Sequence, residues 1–588
     1  MDPLIGLILI ILPIILAFVL LVFLHKAADV TGVIVWFITV IIAIIAFQTD
    51  MAIALIASLA GIIKSFPISL MVATSILMMT YMQETGALQR LIVFFKTLGG
   101  GSRPMQILMI SFGLGLFLVG IGATPVSMLP PVMLALGFSP LVAVALPSIG
   151  YDPLTTFALL GVPAVVFTGE YSFWGAQISL QQAGTVFAWF MPIVSMGIAI
   201  SMLWIAGGRK LLMSREGLLL AAICGITAGS MAIICNFLLP LTTLTNVFAG
   251  AAVLLILFIF NKTRGKSIID RTILDEKDQE IESGMSLARA SIPWVVLVIL
   301  CLVTNMIPQI FNFLYSDLAF PITIGVSDSF KIGVYPAPIN TRILWQAYTL
   351  MLVATLVSMP FLKTNKVVLK RTFSSFKRRA PRPVLAAAIF FAMAEVLNFS
   401  GWKVNPIGVW LNPINPISGL DPTNNMIFLL ASMTAGLGLL YPIVAPFLGL
   451  LAGFISGSET SAIAMFTKYH IEASSLIGAN AMVVSASNGI GGGLASVLSP
   501  AKIQNAAAVI DEIGIEGKVI RYGLVVALLM TWATAILTML QALPLTPLVL
   551  TIVVVMVLIP LMLGLLLFQK SKSETSETNL QSTDANVD

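Results

Sequence analysis

Apolar runs of about 20 residues, the length at which a helix crosses hydrocarbon, recur from one end of this 588-residue chain to the other. They include Pro3–Leu24, Val30–Phe47, Phe66–Met82, Val186–Ala206, Leu218–Leu239, Leu241–Phe260, Ile343–Leu362, Pro383–Phe399 and Pro442–Ser456, then 519–541 and 545–567. Hydrophobic residues make up 58% and charged residues 10%, where a soluble domain carries roughly a quarter charged. The expected fold is an all-α polytopic membrane protein of about 12 spans. Hydrocarbon offers no hydrogen bonds, so a broken helix at membrane depth must be buried in protein or line a wet cavity. The interruptions are therefore the informative places.

Between the spans, Lys and Arg gather in short segments. Arg90, Lys96 and Arg103 lie in 83–104, further basic residues in 262–290, and Lys363, Lys366, Lys370, Arg371, Lys377, Arg378, Arg379 and Arg382 in 363–382. Such loops face the cytoplasm. That places the N-terminus outside and the C-terminus inside a multi-pass protein of the plasma (cell inner) membrane. The net charge of +5 reports this orientation, not nucleic-acid binding. The 363–382 segment also suits contact with anionic lipid. Asp2 precedes the first run and no small-residue cleavage site follows it, so it reads as a retained helix. Residues 51–65, interrupted by Lys64, read as interfacial or re-entrant, and the polar tail 569–588 as disordered. Cys224, Cys235, Cys301, His25 and His470 have no metal-ligand spacing, so no metal and no cofactor is expected.

Two regions break the pattern. In the first, the half-span Met105–Leu118 runs into Gly120–Pro125, and Pro130, Pro131, Pro140, Pro147, Pro153 and Pro163 follow; proline inside a helix kinks or ends it. The second is Leu448–Lys502, with Gly457-Ser458-Glu459-Thr460-Ser461 and then Ser487-Asn488-Gly489 as a partner break. Transporters build substrate sites from such ends. The first region is entered from the cytoplasm and the second from outside, as in an inverted repeat. The divisions are 1–104 N-terminal spans, 105–210 first transport unit, 211–382 central scaffold, 383–544 second transport unit, 545–568 last span and 569–588 tail. Glu459 is the leading candidate for proton or ion coupling, since a carboxylate at membrane depth is costly; a structural helix cap is the plain alternative. Asp152, Glu395 and Lys502 are further coupling candidates: Asp152 could simply initiate a turn, and Glu395 could pair with Lys502 or relay protons. Gly457, Ser458, Thr460 and Ser461 would bind substrate or cap the next helix. Ser487, Asn488 and Gly489 join them, with Thr124, Ser127, Thr155 and Thr156 from the first half. His470 reads as a loop residue.

The stretch GFISGSETSAIAMF followed by SASNGIGGGLASVLSPAKIQNAAAV resembles the bacterial L-lactate permease family, where a FLTGSDTS-type segment precedes an AANTTGG…SPQ segment. Asn398-Phe399-Ser400-Gly401 is similar to that family's Asn-Tyr-Ser-Gly, and Phe112–Pro163 to its first half. The resemblance implies proton symport of lactate, glycolate and related 2-hydroxy monocarboxylates, and a transport domain of paired broken helices. It also brings Asn398 and Ser400 among the substrate-binding candidates. The chain departs from the family in its first half, where Val119 stands in place of a Glu, and in its second, where ASVLSPA (495–501) replaces GKMISPQ.

The expected function is thus import of a small organic anion, most simply L-lactate or glycolate, with H+. The alternative is another organic or inorganic anion, with Na+ as the coupling ion. A channel would need a continuous pore, and two halves with breaks at membrane depth favour alternating access instead; a membrane-embedded enzyme would need a Ser–His pair or acidic cluster, and neither is present, nor a P-loop. The partners expected are the anion, H+ or Na+ and the bilayer, and a homodimer is compatible with them.

Overall fold

The computed structural model describes residues 2–562 except 25, 99, 100, 268, 327–332, 513 and 561. The expectation for the 569–588 tail falls outside these residues, as does His25. Among the described residues, 13 helices are long and apolar enough to cross a membrane, and the only strands form three antiparallel pairs of two residues a side, two of them nested in 321–340 and one in 403–411. The all-α multi-pass fold is as expected. Spans such as Ala28–Ile45, Gly217–Leu238 and Glu516–Ala542 carry apolar side chains on every face, and some of these, such as Phe37, Ile226 and Leu529, are turned outward where lipid would lie.

Several local expectations change. Met105–Leu118 is part of a full 18-residue span, Arg103–Gly120, of which 83% is buried; its glycines pack it against neighbours, as where Gly113 faces Val253 and Leu254. Residues 83–104 are not a plain loop, because Ala87–Thr97 forms an amphipathic helix. Its Lys96 pairs with Asp278 at 2.8 Å and its Arg90 with Glu282 at 3.2 Å, so the charges of 262–290 dock this helix. The Arg379 guanidinium donates to Gln83 at 2.9 Å, and Arg264 pairs with Glu216. The basic segments thus meet on one face.

The hairpins lie at the other end. Helix Phe66–Glu84 runs from Lys64 to the basic face, about 28 Å at 1.5 Å per residue. Helix Pro381–Asn398 starts at the basic face and ends beside the hairpin Lys403–Val404/Trp410–Leu411. Tyr335, Phe399, Trp402 and Trp410 form an aromatic cluster there, packed on Ile53, Ala57 and Ala60 of the helix Met51–Lys64. One face of that helix packs on the cluster, and the other leaves Met51, Leu55 and Leu59 exposed. Gly61 makes the packing close: a Cβ on it would sit 2.6 Å from the Cα of Ala392.

Candidate functional site

Three helix ends converge in the interior, each for a reason written in its residues. In the first region helix Pro140–Ile149 stops at Gly150, and Asp152–Phe157 continues as a tight 3-10 turn. Leu159, Leu160 and Gly161 then take positive φ, one left-handed turn, before a regular helix runs to Trp174. Two leucines in that region store strain of order 1 kcal/mol each, the kind that persists where surroundings over-determine it. A backbone oxygen freed here is met by protein: the Ser195 hydroxyl donates to the Pro153 carbonyl at 3.0 Å.

In the second region helix Tyr441–Ser456 ends at Gly457, with φ +70°, a left-handed cap that glycine takes without steric cost. Ser458 is the N-cap of the helix Glu459–Ile477 and its hydroxyl accepts from Ser461 N–H. The third end is that of helix Ala481–Leu494, followed by a turn at Ser496–Leu498 and the helix Pro500–Val509.

These ends bring together side chains more than three hundred residues apart. The Thr156 hydroxyl donates to Glu459 Oε1 at 2.5 Å. A Cβ on Gly493 would lie 2.6 Å from Glu459 Oε2, so only glycine leaves room there. Lys502 donates to the Ser496 hydroxyl at 2.9 Å, stands 4.5 Å from the centre of the Tyr151 ring, and interacts electrostatically with both Asp152 and Glu459. Asp152 and Glu459 are 1% and 6% exposed, yet among the described residues no donor meets either oxygen of Asp152 or Oε2 of Glu459 in full hydrogen-bond geometry, although the Ser496 and Thr155 hydroxyls stand near enough to act on them. Buried charges normally survive only when paired and hydrogen-bonded. Two carboxyl groups facing one ammonium leave acceptor capacity for a proton or cation, while Lys502 and the hydroxyls offer donors to an anion.

Of the expected residues, Asp152, Thr155, Thr156, Glu459 and Lys502 gather at this point, with Gly457, Ser458, Thr460 and Ser461 at the head of the same helix. Others do not. Ser487, Asn488 and Gly489 are no break: they lie inside the continuous helix Ala481–Leu494, and the interruption comes later, at 495–499. The glycines serve packing instead. A Cβ on Gly491 or Gly453 would strike the backbone of Pro446 or Gly492, the small-residue contact that lets membrane helices approach. Asn488 still reaches the neighbourhood, donating to the Ala462 carbonyl at 3.1 Å. Thr124 precedes helix Pro125–Ala135 at another break, where the Gly122 carbonyl accepts from Ser75 at 2.7 Å. The side chain of Ser127 is outside the described residues.

Glu395 does not pair with Lys502. It meets Lys64 at 2.8 Å, with Glu170 on the same ammonium at 3.3 Å and the Tyr335 hydroxyl donating to its other oxygen at 2.7 Å. Asn398 and Ser400 belong to this end too; the Ser400 hydroxyl accepts from Met426 N–H, and Asn425 donates to both carbonyls. Nor is His470 a loop residue: it is fully buried mid-helix, with Nδ1 2.7 Å from the Tyr441 hydroxyl. Lys64, which the sequence shows only as an interruption, and Glu170, Lys468 and Ser496 were not among the expected site residues. The first three were visible as ionisable residues in apolar helices, which are functional candidates by default.

A family model described as L-lactate permease matches residues 6–545. A glycolate permease of Escherichia coli (strain K12) is 24% identical over 90% of this chain and 94% of its own length. An L-lactate permease of Salmonella typhimurium is 25% identical over 75% of this chain and 78% of its own. One from Bacillus subtilis is 24% identical, with 86% and 90% covered. With a family match over nearly its whole length, the chain belongs to the L-lactate permease family, and so to the membrane transporters and not the enzymes.

Proposed function

We propose that this permease carries a small 2-hydroxy monocarboxylate, L-lactate or glycolate, together with a proton across the plasma membrane. The observation that carries the reading is the buried group Asp152, Thr156, Glu459 and Lys502, where interrupted helices from distant parts of the chain meet with carboxylate oxygens that no described donor reaches in full hydrogen-bond geometry. The names of the relatives supply the substrate class. With both carboxyls ionised the group is net negative, so an entering anion is repelled. With one proton bound it is neutral, and an anion can then be held by Lys502, by the hydroxyls of Thr155, Ser458 and Ser461, and by the N–H groups at the head of helix Glu459–Ile477. Anion and proton therefore enter together. Glu459 and Asp152 carry the proton, Lys502 and the hydroxyls the anion, and Thr460, Asn488 and Gly457 shape the wall.

The meeting of basic segments on one face supports placing that face in the cytoplasm, which puts the hairpins and the N-terminus outside. Residues 105–210 and 383–544 would then supply the moving transport unit, as inverted counterparts, with helix Pro381–Asn398 staying with the scaffold of 211–382 and the N-terminal spans. The test is uptake of radiolabelled L-lactate, glycolate and dicarboxylates into proteoliposomes under pH or sodium gradients. Saturable uptake of the monocarboxylates driven by an acid-outside gradient, with counter-exchange, and its loss in Glu459→Gln, is the expected result. Uptake driven by sodium alone refutes the proton, and uptake of neither monocarboxylate refutes the substrate.

A further inference from the structure

We propose that a second carboxylate-binding site, formed by Lys468, Asn398 and Trp174, receives the anion in the outer half of the protein before it reaches Glu459. This site rests on the transport reading above and adds to it where the substrate first docks. Lys468 follows Glu459 by nine residues on one helix, which places it about 13 Å further along the axis. It is 2% exposed. Its ammonium donates to the Asn398 carbonyl and lies 4.2 Å from the centre of the Trp174 ring. Among the described residues it makes no ion pair: Glu472, one turn further along the same helix, acts on it electrostatically without closing to a salt bridge, and the two carboxylates at the Lys64 end are already engaged. Lys64 takes Glu395 at 2.8 Å and Glu170 at 3.3 Å, and Tyr335 takes the other oxygen of Glu395.

An ammonium has three N–H donors, and one carbonyl oxygen accepts here. Asn398 is fully buried, and among the described residues both ends of its side-chain amide are without a partner. Buried donors left unmade are costly, and their shared deficit is of acceptors. A carboxylate is what they lack: two acceptor oxygens for the ammonium and the amide, with a short carbon chain against the indole face. Glu170 and Glu395 cannot serve without releasing Lys64. In the conformation described, the site is shut beneath Tyr335, Phe399, Trp402 and Trp410. The Tyr335 hydroxyl ties its hairpin to Glu395. Access from outside therefore goes with release of this hairpin, and access from the cytoplasmic side passes Glu459 first.

That asymmetry sets the experiment. Labelled L-lactate and glycolate uptake is measured in right-side-out and in inverted membrane vesicles, for wild type, Lys468→Met, Lys468→Arg and Asn398→Asp. Removing a charge-assisted bond to a carboxylate is expected to raise KM for Lys468→Met about tenfold or more in right-side-out vesicles. The shift in inverted vesicles should be less than about threefold, since Glu459 lies first on that path. Lys468→Arg keeps the charge and recovers most of the loss. Asn398→Asp supplies an internal carboxylate that competes for Lys468, and raises the outer KM in the same way. Equal KM shifts from both sides, or no shift in Asn398→Asp while wild-type uptake is intact, overturns the outer site alone. Wild-type vesicles that carry neither compound overturn the transport reading and this site with it.

Discussion

The contact between Thr156 and Glu459 joins the two interrupted regions, and a double-mutant cycle measures what it does. Thr156→Val keeps the volume and removes the hydroxyl that donates to Glu459 Oε1 at 2.5 Å. Both partners are buried, at 0% and 6% exposure, so no water replaces the lost bond. A hydrogen bond to a charged acceptor contributes about 1.5–3 kcal/mol. The kcat/KM for lactate uptake should therefore fall between roughly 10- and 150-fold if the bond holds the site in shape for the anion. In a Glu459→Gln background the same hydroxyl meets a neutral amide, and its removal costs only about 0.5–1.5 kcal/mol. The midpoints of the two costs differ by about 1 kcal/mol, beyond the few tenths within which independent sites add. Initial uptake in proteoliposomes at several lactate concentrations gives all four corners; for Glu459→Gln, exchange without a gradient supplies the rate. Equal costs for Thr156→Val in the two backgrounds would mean that the contact plays no part in transport, and that the convergence of the helix ends is packing only.

Three other expectations follow from single positions. Lys64→Met strands Glu170 and Glu395 in a site where all three side chains are at most 10% exposed; breaking a buried ion pair costs about 3–5 kcal/mol, so thermal unfolding in detergent should shift down, and adding Glu170→Gln with Glu395→Gln should recover most of the loss. Gly449→Ala drives a methyl into the Asn488 carbonyl, backbone that cannot rotate away, and should destabilise by about 1–3 kcal/mol, whereas Gly169→Ala, with nothing within 4 Å, should stay within about 0.5 kcal/mol. Gly493→Ala puts a methyl against Glu459 Oε2 and Thr155 without altering any charge; lactate uptake should drop about tenfold or more while the purified protein remains folded by gel filtration.

The spans and the break at Gly457 were legible because each rests on local chemistry: unbroken apolar length for the first, a glycine followed by Ser-Glu-Thr-Ser for the second. The break expected at Ser487-Asn488-Gly489 was misplaced for an equally physical reason. Glycine and small polar residues loosen a helix in isolation, but they also let two helices touch, and here the neighbour Tyr441–Ser456 fills the space they leave. Composition alone cannot separate these outcomes, since the deciding contact lies some forty residues away. Glu395 was recognised as out of place in its span, yet its partner was sought in Lys502, the lysine of the other break. The true partner, Lys64, sits 331 positions earlier, in a helix read as interfacial or re-entrant, where it counted only as an interruption. Paired buried charges cancel from both sides, so each looks anomalous only until the other is found.

The two charged groups lie along the same pair of helices, and this bears on how the protein must move. Helices Ala158–Trp174 and Glu459–Ile477 start together, at Thr156 and Glu459, and stay together as far as Trp174 and Lys468. They form one body. Met51–Lys64 and Pro381–Asn398 hold the other ends of the contacts at Lys64, Glu395 and Asn398. A shift between these two bodies would break Lys64 from Glu170 and Lys468 from Asn398 at one end, but would leave Thr156 on Glu459, because both lie on the same body. Opening at the hairpin end therefore costs ionic contacts that a bound carboxylate can replace, while the site at Glu459 travels intact. Crosslinking cysteines placed at Lys64 and Glu170 should stop transport, whereas crosslinking cysteines at Thr155 and Gly493 should leave the relative motion of the bodies free; arrest of that motion by the second pair, read from accessibility of a cysteine at Tyr335, would show that the two halves of the site move apart.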